Sequence, residues 1–128
     1  MVFLGPHAYL SPSVYPDRQR VPSWNYLAVH AYGQVRVVDD APAKDALLKR
    51  LIAIHEPAYA EQWSSLGKEF QLKMLSGIVG FELTVLRLEG KFKLNQHRPE
   101  AHAAMKAAYS QGDEQQKMLA GWMERLGL

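Results

Sequence analysis

Between Asn25 and Val38 the chain alternates. Leu27, Val29, Ala31, Gly33, Val35 and Val37 take the odd positions, and Tyr26, Ala28, His30, Tyr32, Gln34 and Arg36 the even ones. A period of two sustained this far predicts a β-strand with one dry face and one mixed polar–aromatic face. Its fourteen residues exceed the about 5–6 of an ordinary strand, so a bend or bulge is expected near Gly33. A long bent strand suits a small barrel.

Asp39-Asp40 closes that strand and caps the next element. Pro42, Leu47, Leu48, Leu51, Ile52 and His55 mark an amphipathic helix running up to Glu56-Pro57. A looser segment holds Trp63 and Leu66, and Gly67 opens a second helix with Phe70, Met74, Leu75 and Ile78 at helical spacing. Period two returns over Val79 to Leu88; Glu89-Gly90 reads as a turn, and Lys91 to Leu94 alternates again. Pro99 opens an alanine-rich helix to about Tyr109. Gln111-Gly112 breaks it, and Asp113 caps a last helix with Met118, Leu119, Trp122, Met123 and Leu126 on one face. Before all of this, Pro6, Pro12, Pro16 and Pro22 forbid helix and predict an extended segment broken by turns, with Val2-Phe3-Leu4 as a strand end. The order is strand, helices, strands, helices: an α+β fold with a mostly antiparallel sheet.

The chain has 128 residues, the size of one domain, taken as residues 1–128. With 48% hydrophobic and 22% charged residues it has an ordinary globular composition. The absence of cysteine excludes disulfides, thiolate-held metals and thiol nucleophiles. No apolar run has the length of a membrane helix and no secretory segment follows Met1, so the expected compartment is the cytoplasm. A net charge of +2 names no partner by itself, but Arg87, Lys91, Lys93 and Arg98 against the single Glu89 concentrate the positive excess in one short stretch.

Much chemistry is excluded by spacing. The histidines His7, His30, His55, His97 and His102 have no metal-ligand spacing, and neither a glycine-rich phosphate loop nor a nucleophile elbow is present. A helix-turn-helix over Ala43 to Ile78 would offer base edges only Lys68, Gln71 and Lys73. Two clusters remain. Gly5 to Pro12, leading through Pro22-Ser23 to Trp24-Asn25-Tyr26, mixes aromatic rings with hydroxyls and an amide. That mixture suits a planar heteroaromatic ligand. Gly90 to Pro99 supplies cations and amides suited to a phosphate or other anion. Read without a ligand, the same aromatics are core and the lysines are solvated.

These residues resemble a known family. Gly5-Pro6-x-Ala8-Tyr9-x-Ser11-Pro12-x-x-Tyr15-Pro16, Val21-Pro22-x-Trp24-Asn25-Tyr26-x-x-Val29-His30-x-x-Gly33 and Leu88-Glu89-Gly90-Lys91-x-Lys93-Leu94-x-Gln96 resemble the PaiB-like, FMN-binding negative transcriptional regulators. Met74-Leu75-x-Gly77-Ile78-Val79-Gly80-Phe81-Glu82 adds to the likeness. The resemblance implies a flavin-reductase-like split β-barrel, here partial and without the N-terminal strands, followed by C-terminal helices. It implies a homodimer with FMN at the subunit interface, held by Tyr9, Ser11, Trp24, Asn25, Tyr26, Lys91, Lys93, Asn95, Gln96 and Arg98. Val14, Phe92 and His97 stand where relatives usually carry Trp, Trp and Asn. The implied role is negative regulation, with DNA a candidate partner although no helix-turn-helix is evident. Alternatives are a flavin-dependent oxidoreductase and a dimeric remnant that no longer holds FMN. An open half-barrel leaves strand edges and an apolar face uncovered, so close dimerisation or strand exchange is expected, with Met118, Trp122 and Met123 helping to cover the gap.

Overall fold

A computed structural model describes residues 1–128. β1 (Val2–Leu10), β2 (Ser23–Val38) and β3 (Gly80–Lys93) form an antiparallel sheet in the order β1-β2-β3. Helices α1 (Ala41–His55), α2 (Tyr59–Ser65) and α3 (Lys68–Ser76) connect β2 to β3, and α4 (Pro99–Ser110) and α5 (Glu114–Arg125) follow. The α+β class stands, and the sheet is compatible with a partial split barrel. The chain divides into two compact units, one of Met1–Tyr32 with Leu86–Leu128, the other of Gly33–Val85.

In the first unit, Ala8, Leu10 and Leu27 of the sheet meet Leu94, Met105, Tyr109, Leu119, Ala120 and Met123. Leu94, Met105, Leu119 and Met123 are wholly buried, each worth roughly 1.5–3 kcal/mol of burial. Helix α5 packs on both α4 and β1. Its start is a capping box: Asp113 accepts from the Gln116 backbone and Gln116 returns the bond, both at 2.9 Å. Of the last helix's expected apolar face, Leu119 and Met123 are in the core, whereas Met118 is 46% exposed.

The second unit has a smaller core of Ile52, Trp63 and Leu75, flanked by Leu48, Tyr59 and Leu66. Asp40 caps α1 by accepting from the Ala43 backbone at 2.8 Å, as the sequence leads one to expect. Trp63 lies on a short helix rather than in a looser segment, because its ring is buried and its indole N–H donates to Asp45 at 2.9 Å.

Three local readings are corrected. β1 does not end at Leu4: it runs through Gly5-Pro6 to Leu10, because its register against β2 shifts between Leu4 and His7. A bulge is where a strand tolerates proline's missing donor. Glu89-Gly90 is no turn, and β3 passes straight through it; Glu89 is tied down by the Tyr32 hydroxyl and by Arg87. The dry face of β2 is buried at Leu27 and Ala31 only, with Val35 and Val37 about 60% exposed (62% and 59%). Gly33 is a point of close approach: a Cβ there would run into the Thr84 carbonyl oxygen.

Candidate functional site

Strand pleating sorts the site residues. Ala8, Leu10, Asn25 and Leu27 point into the core, so Tyr9 and Trp24, their neighbours in sequence, face the other way. Tyr9 and Trp24 pair directly across β1 and β2, with ring centroids 6.1 Å apart in an edge-to-face arrangement. His7 adds a third ring 6.3 Å from Trp24. Tyr9 and Trp24 are about half exposed, so the face is a ready platform for a flat ring.

The cationic stretch reaches this platform at one point. Lys93, near the end of β3, places its ammonium 2.8 Å from the Ser23 hydroxyl and 5.8 Å from the Tyr26 ring centroid. Neither Lys93 nor Lys91 forms an ion pair. Lys91 lies apart from Lys93, bordering a separate apolar cavity of about 350 Å³ with Pro6, Phe92 and Trp122.

Beside Lys93 opens a cleft of about 340 Å³. Its wall includes Asn25, Asn95, Gln96 and Arg98, together with Tyr15, Arg20 and His97, which sequence reasoning did not assign to the site. Asn25 is 1% exposed; its amide donates to Tyr109 Oη at 3.1 Å and to Met105 Sδ at 3.0 Å. Asn95 turns the chain out of β3 at φ 61°, a left-handed conformation that asparagine tolerates. His102 Nε2 donates to its carbonyl at 3.0 Å. Gln96 braces the same turn, accepting from the Leu94 backbone at 3.0 Å and donating to the Phe92 carbonyl at 2.6 Å. Arg98 stands at the start of α4, 3.8 Å from Glu100.

Arg20 is fixed from three sides, by Asp17 at 2.6 Å, by Glu100 at 3.5 Å and by the Tyr15 ring, whose centroid is 4.9 Å away. No motif marks it; the only signal is its place at the end of a proline-rich loop that returns to β2. Ser11 lies outside the cleft, and its hydroxyl caps the turn over Pro12–Val14 by accepting from the Ser13 backbone at 3.2 Å. Burial pushes the Tyr109 phenol above its ordinary value, and the bond from Asn25 pulls it part of the way back.

The structure therefore brings Tyr9, Trp24 and Tyr26 to one face and Asn25, Asn95, Gln96 and Arg98 to the adjoining cleft, with Lys93 at both. Such a site offers stacking, cations and amides. No cluster of three or more His, Asp or Glu side chains is placed to hold a metal.

Residues 1–87 match the family described as "Putative FMN-binding domain". The chain is 37% identical to "Protease synthase and sporulation protein PAI 2" of Bacillus subtilis over 105 residues, covering 78% of this chain and 48% of that protein. It is also 30% identical to an uncharacterized protein of Emericella nidulans and 34% identical to one of Aspergillus fumigatus. Each of these two matches covers 75% of this chain and 45% of the relative. The chain thus spans about half the length of the curated relatives it matches.

Proposed function

The chain belongs to the FMN-binding domain family, in its PaiB-like branch, and from that premise we propose that it binds FMN as a regulator-type module acting in the cytoplasm. The observation that carries this reading is Lys93, whose ammonium meets both the Tyr26 ring and the Ser23 hydroxyl. Through it the aromatic and cationic stretches adjoin, as a flat molecule with an anionic tail requires.

The residues present fit the group. Trp24, with Tyr9 and Tyr26 beside it, supplies a half-exposed stacking surface. Lys93 draws the phosphate, and unpaired Lys91 adds positive potential farther along β3. Asn25, Asn95, Gln96 and Arg98 form the adjoining wall, and Ser11 shapes the turn that leads to Arg20. When bound, the isoalloxazine supplies redox chemistry. The chain's own residues stack, orient and pair charge.

Two copies complete the site in this reading. Val2, Phe3 and Leu4 at the start of β1 are 55–61% exposed and lie on an edge strand, a surface that a second chain would cover. Repression follows through DNA or a protein partner of that dimer; direct DNA contact would show as a steep salt dependence.

Flavin titration followed by fluorescence quenching tests the site. Trp24→Ala and Lys93→Ala are each expected to weaken FMN by about tenfold or more, the equivalent of about 1.4 kcal/mol. Undiminished affinity in both removes the assignment.

A further inference from the structure

The second unit holds a cavity of its own. It measures about 450 Å³ and is walled by Leu47, Leu51 and Ile54 of α1 and by Ile78, Val79 and Phe81, where the chain enters β3. All of these residues fall within Gly33–Val85, and none belongs to the aromatic platform or to the cleft beside Lys93. The size is that of a small-molecule site, about 300–1,000 Å³. Spacings of four and three put Leu47, Leu51 and Ile54 on one side of α1. Exposure reaches 54% at Leu51, 72% at Ile54 and 78% at Val79. Contiguous apolar surface left this open marks a binding face.

Charge around the cavity is one-sided. Lys44 and Arg50 line it, and no acidic residue does. Lys44 is buried, so its stem belongs to the apolar wall, and its ammonium has Asp39 at 3.4 Å. Asp45, the acid within α1, is already held by Lys49 and by the Trp63 indole. Arg50 is exposed and forms no ion pair. Its planar guanidinium is therefore free for a carboxylate, which it can meet with two parallel bonds. A second copy docking by the same face would set Lys44 and Arg50 against their own counterparts, like charge on like. An alkyl chain ending in an anion fits where that copy does not. From Lys44 to Ile54 the face runs about 15 Å along the helix axis, which suits a chain of medium length.

We propose that this cavity binds a medium-chain aliphatic carboxylic acid, with its alkyl chain along Leu47, Leu51, Ile54, Val79 and Phe81 and its carboxylate on Arg50. The site stands whether or not the chain binds flavin.

Calorimetric titration of the whole chain with hexanoate, octanoate and octylamine, each below its micelle concentration, tests it. Octanoate is expected to bind one to one. It should bind about tenfold tighter than hexanoate, because each buried methylene contributes roughly a fourfold gain. It should also bind at least about tenfold tighter than octylamine, which has the same chain with the opposite charge. Arg50→Gln should lower that octanoate-to-octylamine ratio by about fivefold or more. Ile54→Gln should weaken octanoate by about fivefold and leave the ratio unchanged. No octanoate binding, an affinity independent of chain length, or a ratio the same in Arg50→Gln as in the wild type overturns the proposal. Sedimentation of the unliganded chain examines the other occupant: a dimer that Ile54→Gln dissociates assigns the face to a second copy and overturns the proposal too. Arg50 and Ile54 are both exposed, so neither change disturbs a core, and each variant decides alone if the other fails to fold.

Discussion

Asn25 and Tyr109, 84 positions apart in sequence, share a hydrogen bond of 3.1 Å in the buried core. The Tyr109 hydroxyl in turn donates to the Tyr9 carbonyl at 3.3 Å. One side chain of α4 thereby holds both β1 and β2 by their inner faces. Trp24, next to Asn25, faces outward, so this clamp fixes the pleat that presents the aromatic platform.

Tyr109→Phe removes the clamp: the Asn25 amide keeps only Met105 Sδ, and the Tyr9 carbonyl loses the bond from the hydroxyl. A buried group left unpaired costs about 1–3 kcal/mol. Urea unfolding should show a loss of that size, together with weakened FMN binding. Unchanged stability would show that water replaces the hydroxyl.

The same phenol sets an alkaline limit. Burial raises its pKa, so the folded chain keeps the proton after the unfolded chain, titrating near 10, has released it. The unfolded state then binds fewer protons, and stability falls as pH rises from about 10 toward the raised folded value. Alkaline unfolding should be steeper in the wild type than in Tyr109→Phe.

The second unit has an acid limit. Lys49, at 2.7 Å, and the indole N–H of Trp63, at 2.9 Å, hold the Asp45 carboxyl below its usual range. A depressed folded pKa contributes stability above about pH 4 and loses it as pH falls toward the lowered value. The group is partly open to solvent, so the contribution is below about 1 kcal/mol. Acid unfolding followed by tryptophan emission should begin at higher pH in the wild type than in Asp45→Asn, measured from each protein's own neutral-pH baseline.

Gly33→Ala forces a Cβ against the Thr84 carbonyl oxygen and close to Val85 Cα, both backbone atoms that cannot swing aside. A loss of about 1–3 kcal/mol is expected in urea unfolding. Gly121→Ala is the contrast: open space surrounds that position within α5, and the helix gains about 0.5–1 kcal/mol.

Local signals carried much of the fold. Alternation gave β2, Asp40 and Pro42 gave the start of α1, and Asp113 gave the start of α5. These depend on near neighbours alone. The continuity of β3 through Glu89-Gly90 depends on Tyr32 across the sheet, and the helix around Trp63 depends on Asp45, so neither is visible in a short window. Site residues divided in the same way. Trp24 and Asn25 are adjacent in the motif yet face opposite sides of the sheet, because a strand reverses its side chains at every step. Arg20 was missed because its partners Tyr15, Asp17 and Glu100 come together only in the fold.

The two margins of the sheet are unequally guarded. Arg87, Glu89, Lys91 and Lys93 line the latter half of β3, whereas Val2 to Pro6 on β1 contain no charged side chain. Charge on an outer strand discourages the addition of another strand. Ahead of the bulge at Gly5-Pro6, β1 is therefore the less guarded margin. In the proposed dimer, two copies meeting β1 to β1 would leave a guarded margin at each limit, and assembly would stop at a pair instead of running on into a fibre.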